Sequence, residues 1–175
     1  AGCGVAFKLI QALSIKLNLP ESEWLKYIDI ACVGTISDIV TLIDENRVIA
    51  KLGLKLVEVT KNIGLRTLIE LSGFKKIDST AISFGISPRI NACGRMGHQE
   101  DALKLFLTDD PIEARKLAQK LEEYNRQRQE IEKKIFNEAI EMAYKNKDES
   151  CIVIGKENWH HGVIGIVSSK VTDLT

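Results

Sequence analysis

The sequence predicts a mainly α-helical chain, and two observations carry that expectation. Apolar residues recur at every fourth position over Val5, Leu9, Leu13 and Leu17. A strong helix start at Asp110-Pro111-Ile112-Glu113 is followed by no breaker until about Asn146. Against these, one short run, Cys151-Ile152-Val153-Ile154-Gly155, has the composition of a buried strand.

The elements follow in order. Val5 to Leu17 forms a first amphipathic helix, ended by Asn18 and Pro20. Pro20-Glu21-Ser22-Glu23 opens a second, with acid in its first turn, that runs into the apolar stretch containing Asp38. Asp44 serves as the N-cap of a third, whose face is Val48, Leu52, Leu56 and Val59. Asn62-Ile63-Gly64 makes a turn. Leu65 to Leu71 is a short helix stopped by Ser72-Gly73. Asp78 caps another, from Ser79 to Phe84. Pro88 biases Ser87 towards extended backbone, so Ile86 to Gly97 reads as a loop. Glu100 to Leu107 is a further short helix.

At Asp110-Pro111 a cap, a first-position Pro and a third-position Glu coincide. Leu117, Leu121, Tyr124, Ile131 and Ile135 then keep helical spacing, with charge pairs such as Glu130–Lys134 and Glu141–Lys145. Such a helix is on the order of 50 Å long, too long for a small core, and reads as a connector between two domains. A coiled-coil dimer is the competing reading, and one short seam interrupted by Arg128 speaks against it. Lys145 to Ser150 is a polar break. Trp159 to Lys170 reads as a loop followed by a helix starting near Gly162, whose mouth of small residues suits an anion.

Composition narrows the classes. The 175 residues carry 24 charges of each sign and 45% hydrophobic residues. That supports a folded core and argues against disorder. The zero balance gives no bulk signal for nucleic acid or membrane, so any such binding must come from a local patch. No apolar stretch is long enough to span a bilayer, and no signal peptide opens the chain. Cys3, Cys32, Cys93 and Cys151 form no CxxC pair and read as buried free thiols of a reducing cytosol. Without an initiator Met, and with a last helix that stops in mid-pattern, the chain reads as a fragment of a longer protein.

Two stretches carry chemistry. From Tyr27 to Ile43 only Asp29 and Asp38 interrupt an apolar run. An unpaired carboxylate there costs several kcal/mol, so Asp38 is expected to meet a cation, a cluster of donors or a metal. Gly34 supplies a backbone joint that places Asp38 at a turn. An Asp capping the next element is the alternative. In Pro88-Arg89-Ile90-Asn91-Ala92-Cys93-Gly94-Arg95, the polar Arg89, Asn91 and Arg95 are threaded between small and apolar residues. Guanidinium forks match phosphate oxygens, and Asn adds a neutral donor. The alternative is a surface loop whose arginines pair with acids.

Six segments, in this order, resemble the RecJ single-strand-specific DNA exonuclease family of the DHH phosphoesterase superfamily. They are Ala1–Leu9, Gly34–Val40, Asp44–Arg47, Pro88–Arg95, Asn125 with Arg128-Gln129, and Trp159–Val167. The Asp-His-His signature is absent. The resemblance implies the C-terminal part of an α/β DHH catalytic domain (1–107) and a long connecting helix (108–147). It also implies the first strand and helix of a DHHA1-type α/β domain (148–175). It implies that Asp38 is the catalytic carboxylate and a manganese or magnesium ligand of a two-metal site supplied mostly from outside this chain. It places Arg89, Asn91 and Arg95 near the substrate phosphate, and Trp159, His160 and Gly162 against single-stranded DNA. His161 and Thr41 stand where Pro is common, Ser87 where Gly is common, and Lys170 where Arg is usual, which keeps a charge but loses the fork.

The implied activity is metal-dependent 5′-to-3′ digestion of single-stranded DNA in repair and recombination. Two metals activate water and stabilise the departing oxygen. Arg89 and Arg95 offset charge on the phosphate, and Trp159 offers a ring for a base. The fragment alone is expected to be inactive, because one carboxylate cannot hold two metals. The implied setting is cytoplasmic, with a single-strand-binding protein or helicase as candidate partners and no sign of a homo-oligomer. Two other readings remain: a phosphodiesterase for short oligonucleotides or cyclic dinucleotides, and a non-catalytic replication scaffold.

Overall fold

The apolar run from Ile28 becomes helix α3 (Ile28–Ser37), in which Ile28, Ala31, Cys32, Val33, Thr35 and Ile36 are all buried. This is seen in a computed structural model of the chain, which describes residues 1–146 and 149–174. The described residues are mainly helical, in agreement with the expected fold class. They divide into two compact units, Ala1–Pro88 with Leu103–Ala118, and Arg89–Ala102 with Gln119–Thr175.

In the first unit α3 packs against α1 (Gly2–Lys16) and α4 (Asp44–Val57). Glycines allow the close approach. A Cβ on Gly34 would stand 2.5 Å from Cys3 Sγ, and one on Gly53 would overlap Cys32 and lie 2.7 Å from the Ile28 carbonyl. Gly34 is therefore not the expected joint but a mid-helix contact residue. The second helix also differs from expectation. It splits into α2 (Ser22–Leu25) and α3, separated by Lys26 and Tyr27.

The apolar stripes read from periodicity are not the ones that pack. On α1, Phe7 and Ser14 are buried, while Val5 is 72% exposed and Leu9 61%. On α4, Ile49, Ala50, Gly53 and Val57 face inward, whereas Val48, Leu52, Leu56 and Val59 are exposed. Both helices have apolar or small residues on two faces. Where the helices come closest to α3, small residues make the contact: Cys3 of α1 against Gly34, and Gly53 of α4 against Cys32. Asp44 does not cap α4. It starts the helix with φ 45°, and Ile43 holds the cap position.

Asn62 is a true N-cap. Its Oδ1 accepts from Leu65 N at 2.8 Å, so α5 (Ile63–Ser72) begins earlier than expected, and Gly73 ends it in the left-handed region at φ 73°. Asp78 opens the next segment as expected, accepting from Ala81 N at 3.0 Å. That segment becomes a π-helical turn, Ala81–Ile86, and runs straight into α6 (Ser87–Arg95). The expected loop around Pro88 is thus helix. The reason lies one turn upstream. Ser87 N–H reaches back five residues to Ile82, and the wider turn makes room for a ring that crowds the preceding carbonyl in an α-helix.

In the second unit α8 (Pro111–Lys145, the long expected helix) faces α9 (His161–Thr172). Ile135, Ala139 and Ala143 from one meet Val163, Val167 and Val171 from the other, each row at a spacing of four. Ile152, Ile154 and Trp159 pack on this core. Over 151–155 Val153 is 89% exposed and no strand forms among the described residues. The expected buried strand is therefore not formed: a ladder needs a neighbour, and none pairs with this segment among the described residues. The polar break expected over 145–150 falls partly on Lys147 and Asp148, outside the described residues. No described helix is long and apolar enough to cross a membrane.

Candidate metal and nucleic-acid site

Asp38 does not sit inside the apolar core. It follows the last residue of α3 with φ −83° and ψ 0°, and it is exposed. Ile39 beyond it turns the chain with φ 52°. The turn is as expected, but the expected burial is not found: Asp38 is exposed. Ser37 next to it is held by Val33 O at 2.7 Å and by the Ser87 hydroxyl. This fixes the end of the helix, while the Asp38 carboxylate faces solvent.

The buried charge of the run is Asp29, only 6% exposed. Its two oxygens accept from Ile30 N at 2.7 Å and Thr60 Oγ1 at 2.6 Å. Thr60 Oγ1 in turn accepts from Asn62 N at 3.1 Å, and Asn62 Nδ2 donates to Phe106 O at 2.8 Å. A single buried carboxylate thus anchors α3 to the cap of α5. Sequence reasoning gave Asn62 only a turn and Asp29 no role. The legible signal was a Thr-x-Asn pair before an apolar helix.

The second unit holds the other candidates. Arg89 is largely buried and its Nε donates to Glu122, which is the acid-paired alternative. Asn91 and Arg95 are exposed on the same helix. Arg95 Nη1 donates to Gly162 O at 3.0 Å, and a Cβ on Gly162 would overlap the Arg95 carbonyl oxygen. Gly162 N donates to His160 Nδ1 at 3.1 Å, so His160 caps α9 with its unprotonated nitrogen. Arg95 and the neighbouring pair His160 and Gly162, the last of them 67 residues on from Arg95, therefore form one cluster. Trp159 lies beside it, but its Nε1 donates to Glu138 at 2.9 Å and its ring packs on the α8–α9 core. The Trp159 hydrogen bond, with Lys156 at 3.2 Å, holds the Glu138 carboxyl below its ordinary range.

One charged group was missed altogether. Glu132, 6% exposed, ion-pairs with Arg128 at 2.5 Å and with Lys170 of α9. Arg128 also donates to Asn125 Oδ1 at 2.7 Å. Burial acts to raise the Glu132 carboxyl, but the bonds from Lys170 and Arg128 outweigh it and hold the group below its ordinary range. The signal available was helical: Arg128 and Glu132 are four apart on α8.

Can these residues hold a metal? Asp38 offers one exposed carboxylate, and among the described residues no three His, Cys, Asp or Glu side chains gather to hold an ion. One oxygen donor pair does not make a two-metal centre. The residues of this chain alone do not fit such a centre.

No family model matches the chain. Single-stranded-DNA-specific exonuclease RecJ of Bacillus subtilis is 42% identical over 176 residues, covering 99% of this chain and 22% of that protein. The same exonuclease of Thermus thermophilus is 39% identical over 174 residues, covering 99% and 25%. A crystal structure of the Thermus thermophilus RecJ in complex with Mn2+ superposes with a TM-score of 0.91 at 39% identity, over 98% of this chain and 26% of that one. A second, in complex with Mg2+, gives 0.90. The chain thus spans about a quarter of these relatives. Over nearly its whole length the chain is similar, in sequence and in fold, to one segment of these RecJ proteins.

Proposed function

We propose that this chain is one part of a metal-dependent exonuclease that digests single-stranded DNA from the 5′ end in repair and recombination. The observation that carries the reading is the match along nearly the whole chain, in sequence and in fold, to proteins named for that activity. Within it, residues 1–107 act as part of the catalytic domain, 108–147 as the connector and 148–175 as the start of a strand-holding domain.

Asp38 supplies one carboxylate towards Mn2+ or Mg2+, the remaining ligands coming from other parts of the enzyme. Its exposure and its place at a fixed helix end support that role, because a ligand must be reachable by an ion. An ion held there with ligands from the rest of the enzyme would supply activation of water and charge stabilisation at the leaving oxygen. Arg95 has five N–H donors and spends one on Gly162, so the others are available to a phosphate. Arg89 and Asn91 extend the same helix, and Trp159, His160 and Gly162 border it. Single-strand-binding protein or a helicase would be partners of the whole enzyme, in the cytoplasm.

The chain by itself is inactive in this reading. The test is a Mn2+ titration of the purified chain with a labelled single strand. Binding without cleavage is expected. Mn2+-dependent cleavage by the chain alone overturns its dependence on outside ligands, and no binding at any salt concentration overturns its role in holding the strand.

A further inference from the structure

The stacking role expected of Trp159 has a second candidate, and it lies at the start of α7 (Gln99–Leu107). The His98 ring is exposed and lies flat on Tyr124, with ring centroids 4.3 Å apart and planes 12° from parallel. The Tyr124 ring is held through its hydroxyl, and the His98 backbone beneath its stacked ring is fixed. His98 N donates to Cys93 O at 2.7 Å, and His98 O accepts from Asp101 N at 3.0 Å. Gly97 makes the bend before it at φ 80°, a value that suits glycine. Tyr124 OH donates to Asp101 Oδ2 at 2.8 Å, and Lys120 Nζ lies 3.5 Å from the same oxygen. The Asp101 charge is thereby offset, and Lys120 remains more than half exposed.

We propose that the outer face of His98 is a stacking platform for a base of single-stranded nucleic acid. The base would continue the Tyr124–His98 stack, and Lys120 and Arg95 would supply cations for the adjoining phosphates. The geometry supports this because the cost of ordering the ring is already met by the fold before the strand arrives. Stacking tolerates any base, which suits a ligand recognised as a strand and not as a sequence. The proposal rests on the strand-holding reading above, but adds a contact outside the Trp159 segment.

The experiment measures binding of the chain to a labelled oligothymidylate, to the same strand with abasic sites, and to His98→Ala and His98→Phe variants. The wild type is expected to prefer the base-bearing strand by about 10-fold, as loss of one stacked base implies. His98→Ala should lose that preference with an unchanged thermal midpoint, since the ring is exposed. His98→Phe should restore most of it, because a ring is needed and not an imidazole. Equal binding of normal and abasic strands by the wild type overturns the platform, as does a His98→Ala variant that binds like the wild type. If the wild type binds neither strand, the strand-holding reading fails first and the platform falls with it.

Discussion

The backbone of Gly162 lies directly against the carbonyl of Arg95, and the Arg95 guanidinium closes the contact by donating to Gly162 O at 3.0 Å. A methyl group at this position has nowhere to go, because its neighbour is backbone. Gly162→Ala is expected to destabilise the chain by about 2 kcal/mol, as overpacking does. Gly165, three residues on, has nothing within 4 Å of its would-be Cβ. Gly165→Ala should gain about 0.5–1 kcal/mol from better helix propensity. Urea unfolding of both variants separates close packing from helix propensity. Equal effects would mean that the Arg95 contact is absent in solution.

Glu132 makes stability depend on acid. Its carboxyl is held below the ordinary range by Lys170 and Arg128, against the effect of burial. An unfolded chain has a Glu value of about 4.3. The contribution is therefore complete above that value and is lost as pH falls through the lower, folded value. Glu132→Gln should be about 2 kcal/mol less stable at neutral pH, since it leaves the largely buried Arg128 without its acid. Its stability should also vary less with pH below that point than the wild type's. Chemical denaturation from pH 6 to pH 3 reads both; parallel curves would remove the ion triad from the account.

Thr60 supports the buried Asp29 at 2.6 Å and accepts from Asn62 N. Thr60→Val keeps the shape and removes both partners. A loss of about 2 kcal/mol is expected, set by desolvation of the groups left unpaired. Amide exchange at the first turn of α5 should rise in the same variant, which a general loss of packing would not single out.

Asp38 should behave in the opposite way. It is exposed and no bond to its side chain appears among the described residues, so Asp38→Asn is expected to leave the thermal midpoint unchanged. In an enzyme carrying this segment, loss of a metal ligand should lower Mn2+-dependent digestion by at least about 100-fold, the upper end of what outer-shell changes cost. A variant with full activity would end the ligand assignment.

The cysteines divide by exposure. Burial, then the charge of Asp29, pushes the Cys32 thiol up to about 12, and burial pushes Cys93 up to about 11. Cys151 is exposed. A thiol reagent at mildly alkaline pH should label Cys151 rapidly and reach Cys32 and Cys93 only on unfolding. Rapid labelling of all of them in the folded chain would contradict the core.

Local chemistry made much of this chain readable. The Asp110-Pro111 start, the Asp78 cap, the Gly73 stop and the long uninterrupted α8 depend on residues within a few positions of one another, and each stands where the sequence alone placed it. The turn at Asp38 and the helix start near Gly162 were legible for the same reason.

What the tertiary structure decided is which side of each element faces inward, and which carboxylate is buried. Val5 and Val48 head apolar stripes as regular as any in the chain, yet other faces of α1 and α4, with Phe7 and Ser14 on one and Ile49, Ala50, Gly53 and Val57 on the other, are the buried ones. Asp29 and Asp38 interrupt the same apolar run, but Asp29 gains a donor from another helix end, because Thr60 arrives from 31 residues away, itself held by Asn62 N. The Arg95–Gly162 contact joins residues 67 apart. Periodicity and capping are local properties that short windows of sequence carry; burial and partnership are properties of surfaces that exist only once distant helices have met.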